Sequence, residues 1–226
     1  MTSNLNVLYE DNHLIGVVKP FNMPVQRDFT EDPDLLNEVK TYIKHKHEKP
    51  GDAFAALVHR LDRPAGGVMI FARTSKAASR LTKAFKDREV EKQYLCIVNG
   101  HISPTKRRLK HWLKKDPRKK IVTAYKKPVE GSKKAILQYQ RLQKAENLSL
   151  VSVILETGRS HQIRCQLSKV NYPLYGDHKY GDAKKGEQLA LWSRYLCVPH
   201  PVKDDTVELE APPPQTTPWN LFELDS

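Results

Sequence analysis

Apolar positions along the chain recur with two periods, and these lay out its elements. Val7-Leu8-Tyr9-Glu10 and Leu14-Ile15-Gly16-Val17-Val18-Lys19 are strand-like runs joined through Asp11-Asn12, a turn-forming pair. Pro20 ends the second run and Pro24 stiffens the loop after it. Leu35, Leu36, Val39, Tyr42 and Ile43 then repeat at helical spacing, with Asp32 expected as the N-cap and Pro33 as the first helical residue. Val68-Met69-Ile70-Phe71-Ala72 is apolar throughout and short enough to be a buried strand. Ser75 is expected to cap a second helix that carries Ala77, Ala78, Leu81, Ala84 and Phe85 on one face. Tyr94 to Val98 predicts a strand, closed by Asn99-Gly100. Two more are predicted over Ala135–Leu142 and Leu148–Glu156, around a turn at Glu146-Asn147. Ile163, Leu167 and Val170 begin a helix near His161, so Gly158 to His161 form a strand-to-helix turn. Strands over Leu189–Cys197 and Thr206–Glu210 complete the set. Neighbouring strands, short turns and few helices predict an α+β fold, a mainly antiparallel mixed sheet flanked by helices and loops. With no repeat and no clean linker, residues 1–226 are expected to form a single domain.

Charge changes this picture in one place. The 226 residues carry a formal +12, and between His101 and Lys134 thirteen Lys and Arg face only Asp116 and Glu130. Trp112 and Tyr125 lie within that stretch. A flexible polar insertion is one reading; contact with RNA is the one favoured, because cations interleaved with aromatics suit phosphates and unstacked bases. The far end is the reverse, with six acids and no Lys or Arg from Asp204 onward.

Other classes are disfavoured. Cys96, Cys165 and Cys197 form no CxxC pair and no even framework, which fits a reducing cytoplasm. The first ten residues lack a signal-peptide pattern, and the longest apolar run, Gly66 to Ala72, is too short to span a bilayer. A cytoplasmic, monomeric protein without membrane contact is expected. Neither common Gly-rich phosphate loop occurs, so no nucleotide cofactor is expected. His45 and His47 have no evident third ligand, so no metal is expected either.

The candidate chemistry centres on Asp62. It stands among His59, Arg60 and Arg63, ahead of Pro64-Ala65-Gly66-Gly67 and the apolar run, on a loop that a core strand can aim. Cations favour its ionised form, in which it can act as nucleophile or base, although the same cluster also describes a structural ion pair. Lys19 to Gln26 is a candidate wall of the site. Arg159 and Arg164 flank the turn at 158–161, where a helix start offers free N–H groups to an anion.

Taken together, these segments resemble the RluA-type family of RNA pseudouridine synthases. His59-Arg60-Leu61-Asp62-Arg63 is similar to the family's HRLD signature, and Leu14 to Gln26 to its first strand and loop. Lys92-Gln93-Tyr94-Leu95 resembles its K-x-Y strand start, and Thr157 to Arg164 its TGRTHQIR motif. Gly176-Asp177 with Tyr180-Gly181 and His200-Pro201 resemble its later motifs. Ala65-Gly66 and Trp192-Ser193 depart from its usual Thr-Ser and His-Ala.

The resemblance implies a pseudouridine-synthase-like catalytic domain without the small N-terminal RNA-binding domain of some members. It implies an enzyme that isomerises uridines in ribosomal or transfer RNA to pseudouridine, needing no cofactor. Asp62 would be the nucleophile or, on another route, a catalyst at the ribose; Arg164 would be its ion-pair partner, and Tyr94 a surface against the uracil and a candidate for C5 proton removal. Lys19, His59, Arg60, Arg63, Arg159, His161 and Ile163 would bind substrate. Arg63 would fill the space of the extruded nucleotide or grip a phosphate, and Ile163 would be an apolar wall or simply helix core. Two alternatives stand beside this: a catalytically idle RNA-binding protein, and a glycosidic hydrolase with Asp177 as its second carboxylate.

Overall fold

The computed structural model describes residues 5–48 and 50–224. In chain order its elements are β1 (Val7–Glu10), β2 (Leu14–Lys19), α1 (Leu35–Lys46), β3 (Ala56–Leu57), β4 (Gly66–Ala72) and α2 (Ser75–Asp87). Next come β5 (Glu91–Asn99), β6 (Lys106–Asp116), β7 (Ile121–Tyr125), β8 (Lys133–Ala145), β9 (Leu148–Leu155) and α3 (Gln162–Lys169). The last strands are β10 (Leu191–Pro199) and β11 (Thr206–Glu210), followed by a 3-10 turn at Trp219–Leu221. The fold is α+β, with a mainly antiparallel mixed sheet flanked by helices. No helix among the described residues is long and apolar enough to cross a membrane.

Two compact units share the chain. One takes the segment ending at Glu91 together with Ser193–Ala211; the other takes Lys92–Trp192 and the segment from Pro212 onward. Each unit is built from two separate stretches, which is why no linker marks them in the sequence.

The first unit orders its strands β1-β2-β4-β10, with β3 along β4 and β11 along β10. All seven residues of β4 are buried, as their unbroken apolar run requires. Gly67 cannot be replaced there, because at φ +115° a Cβ would lie 2.3 Å from the carbonyl oxygen of Ser193 in β10. Helix α2 packs on β4 and β3.

The helix caps differ from expectation. Asp34, not Asp32, caps α1 and accepts from the Asn37 N–H at 3.1 Å. Asp32 precedes proline, which holds it extended, and its carboxylate goes to Arg63 instead. Thr74, not Ser75, caps α2, accepting from the Ala77 N–H at 3.1 Å.

In the second unit the order is β5-β9-β8-β6-β7, every neighbouring pair antiparallel. The basic stretch is not a flexible insertion. Most of it is β6 and β7, a hairpin whose first strand pairs with β8 from Lys106↔Gln140 to Leu113↔Lys133. Leu109, His111 and Leu113 point inward, and Leu113 joins Val122, Ala124, Ala135 and Cys165 in a core against α3. Burial pushes the Cys165 thiol up to about 11, so it is an inert packing group.

Candidate active site

In the first unit, Lys19, His59 and Arg63 hold the turn that carries Asp62. The Ala65 N–H donates to the Asp62 carbonyl at 3.0 Å, closing the loop just before β4 begins. Lys19, at the end of β2, is fully buried. Its Nζ donates to the carbonyls of Pro20 (2.9 Å), Arg63 (2.9 Å) and Ala65 (2.6 Å). Three donors on one ammonium thus satisfy three carbonyls around the turn. Burial pushes this ammonium down to about 7; the charge of Asp62 opposes the shift and that of Arg63 adds to it.

Two more of the expected residues brace the same turn. Nε2 of His59 accepts from the Ile70 N–H at 3.0 Å, and the ring stacks on Phe85 at 4.8 Å and 12°. That nitrogen therefore carries no proton. Arg63 reaches the other way, donating Nε to the Asn22 carbonyl (3.0 Å), Nη1 to Thr30 Oγ1 (2.9 Å) and Nη2 to Asp32. Arg60 is exposed, and Asp62 itself is partly exposed. Asp62 thus lies partly exposed on a turn whose carbonyls are held from below by Lys19.

The second unit places Arg159, His161, Ile163 and Arg164 at the start of α3 and Tyr94 on β5. Thr157 Oγ1 accepts from the Ile136 N–H at 2.8 Å. The Gln162 side chain takes the Thr157 hydroxyl and the Arg159 N–H on Oε1, and donates Nε2 to the Ile136 carbonyl. The turn is thereby locked from within. His161 follows as N-cap in the left-handed region, φ 51°, with Nδ1 2.6 Å from the Tyr180 hydroxyl. Arg159 is exposed and donates Nε to the Lys134 carbonyl. Ile163 is buried, as is Tyr94 in β5, opposite Val153 of β9.

Arg164 meets Asp177 in a fork: Nε to Oδ2 and Nη2 to Oδ1, both 2.8 Å. Its guanidinium also lies 5.2 Å from the Tyr180 ring centre. Burial would push the Asp177 carboxyl up, but the Arg164 hydrogen bond and charge, with the N–H groups of Lys179 and Tyr180, hold it below its ordinary value. Gly176 makes the turn possible. Its φ is +69°, and a Cβ would lie 2.1 Å from the Gln188 carbonyl.

Tyr180 and Gln162 escaped the sequence reading as functional supports. Tyr180 ties His161 to β7, since its hydroxyl also accepts from the Val122 N–H at 2.9 Å. Neither role has a sequence signal beyond the motif, because that of Tyr180 depends on a partner 58 residues away and that of Gln162 on side-chain direction. His47, at the end of α1, bonds Glu10 at 2.7 Å, and the described residues contain no cluster able to hold a metal.

Residues 13–169 match the family model described as RNA pseudouridylate synthase. The tRNA pseudouridine synthase C of Haemophilus ducreyi is 32% identical over 87% of this chain and 86% of its own. The ribosomal large subunit pseudouridine synthase D of Zymomonas mobilis is 30% identical over 93% of this chain and 70% of its own. Among solved structures, human RNA pseudouridylate synthase domain containing 1 shares the fold, with a TM-score of 0.79 and 24% identity over 96% of this chain and 86% of its own.

Proposed function

Because this chain belongs to the RNA pseudouridylate synthase family, we propose that it isomerises specific uridines in ribosomal or transfer RNA, with Asp62 as the catalytic nucleophile. The observation that carries this reading is the partly exposed Asp62 carboxylate on a turn whose carbonyls converge on buried Lys19. The Asp62 carboxylate displaces uracil from C1′, breaking the N1–C1′ bond. The uracil turns, and its C5 displaces the carboxylate to form the new C–C bond. Loss of the C5 proton and uptake of one proton at N1 complete the isomer, with no net oxidation and no cofactor.

Tyr94 is proposed to act on the detached uracil, as a stacking surface and in removal of the C5 proton. Arg164 is proposed as the cation that favours the ionised nucleophile, its direction set by Asp177. Arg60, Arg159 and His161 are proposed to hold phosphates or ribose. Lys19, His59 and Arg63 are proposed to act by positioning the turn. A stacked uridine must first be extruded, at roughly a few kcal/mol, and cationic side chains offset part of that. Hydrolysis of a glycosidic bond is less well supported, because both Asp177 oxygens already accept from Arg164.

The test is direct. The protein and its Asp62→Asn variant are incubated with uridine-containing RNA, and the digested nucleosides are separated. Wild type is expected to yield pseudouridine, and the variant to bind RNA and yield none. Free uracil would point to hydrolysis, and turnover by Asp62→Asn at a tenth of the wild-type rate would remove Asp62 as nucleophile.

A further inference from the structure

The thirteen cations between Lys106 and Lys134 are all exposed, far more than one reacting nucleotide needs. The hairpin orders them. Along β6, Lys106, Arg108, Lys110, Trp112 and Lys114 alternate with buried Leu109, His111 and Leu113, so they share the outward face. Trp112 lies directly opposite Tyr125 of β7 and Lys134 of β8. The Lys110 ammonium stands 5.2 Å from the Trp112 ring centre. Tyr125 also lines a depression of about 460 Å³, together with Lys114, Asp116, Arg118 and Thr123. The arrangement is a row of cations interrupted by a pair of aromatic rings.

We propose that the outward face of β6, β7 and β8 is a second RNA-binding surface, on which an unpaired base stacks at Trp112 and Tyr125 while Lys106, Lys110 and Lys114 hold flanking phosphates. This rests on the reading of the chain as an enzyme of RNA, and it specifies the RNA: a substrate with unpaired nucleotides outside the reacting uridine. Duplex RNA keeps its bases stacked on each other and offers none to an aromatic pair. A simple polyanion would satisfy the lysines and leave the rings unused.

Trp112 supplies its own probe. Trp192 and Trp219 are 5% and 1% exposed, whereas Trp112 is half-buried at the surface. Three ligands are titrated into the protein: a twelve-residue oligouridylate, a duplex RNA of equal length, and heparin. The oligouridylate is expected to quench tryptophan emission, the duplex and heparin to bind without matching quenching. Trp112→Phe should abolish the quenching with nearly unchanged affinity, and Trp112→Ala should weaken oligouridylate binding between about fivefold and a hundredfold. Because stacking releases no counterions, Trp112→Ala leaves the slope of log K against log salt unchanged. Replacing Lys106, Lys110 and Lys114 together by Gln should flatten that slope by about 2.

Pseudouridine formation in bulk RNA at saturation should survive the lysine replacements, since uniform binding does not set kcat. An unquenched wild type, equal quenching by duplex, or a lysine variant with wild-type affinity and slope would each overturn the proposal, while pseudouridine formation by wild type would leave the enzymatic reading standing. Should Trp112→Ala not fold, the Phe and lysine variants decide alone. Absence of pseudouridine with quenching intact would sink the enzymatic reading and keep the surface.

Discussion

Arg164 and Asp177 form a buried two-point ion pair, each N···O distance 2.8 Å and the side chains 7% and 0% exposed. The guanidinium cannot swing without stranding a carboxylate in the core. Asp177→Asn is therefore expected to cost about 3 to 5 kcal/mol of stability, because it leaves a buried cation short of its partner. Arg164→Ala should be as damaging. Urea denaturation of the two variants checks both, and losses under about 1 kcal/mol would contradict a buried pair of this kind.

The same pair has a pH signature. The Asp177 carboxyl is held below its usual value, so its stabilisation is complete above the unfolded pKa of about 3.9. It is lost as pH falls from there through the folded value. Wild type should lose stability over that acid range relative to Asp177→Asn, which has no carboxyl to protonate. Parallel stability curves for the two proteins below pH 4 would be the contrary result.

Lys19 is buried beneath the Asp62 turn, with its ammonium pushed down to about 7. Between about pH 7 and 10.5 the unfolded chain holds this proton and the folded one does not, so stability relative to Lys19→Met rises with pH over that window. Lys19→Met also releases the carbonyls of Arg63 and Ala65. Turnover should fall by on the order of a hundredfold, the effect of a small misplacement of a reacting group, with KM for RNA little changed. A rise in KM at unchanged kcat would make Lys19 a substrate ligand and not a positioning residue.

Tyr94→Phe separates the ring from the hydroxyl. The aromatic face survives, so RNA affinity should persist, while loss of a proton-transfer group slows turnover by about 10²- to 10⁴-fold. The reaction should then stall after N1–C1′ cleavage, and rapid-quench analysis should capture the intermediate. Unchanged single-turnover rates would limit Tyr94 to stacking.

Gly67→Ala should lower stability by at least about 2 kcal/mol, since both the positive φ and the 2.3 Å approach to Ser193 oppose a Cβ. Circular dichroism melting would register this. A variant as stable as wild type would mean that β4 and β10 can part without cost.

Period and local chemistry determined much of this protein in advance. The buried run in β4 and the helical stripe of α2 are set by residues within a few positions of one another, and so was the place of Asp62 on a loop ahead of a core strand. The motif series carried the family as well. The β6–β7 hairpin was not read in advance: Leu109, His111 and Leu113 stand at every second position, but the density of charge around them suggested an insertion rather than strands. What only the tertiary structure decided are partners distant in sequence. Asp32 was diverted from capping α1 to Arg63, 31 residues away, and Asp34 took its place. Lys19 turned inward to carbonyls 44 and 46 residues on. Asp177 became the fork for Arg164 as well as an acceptor for its own turn. A charged side chain has no period to betray where it points. Its direction is settled by which unsatisfied carbonyls and carboxylates the folded backbone brings within 3 Å, and that follows from strand order rather than from neighbours in the chain.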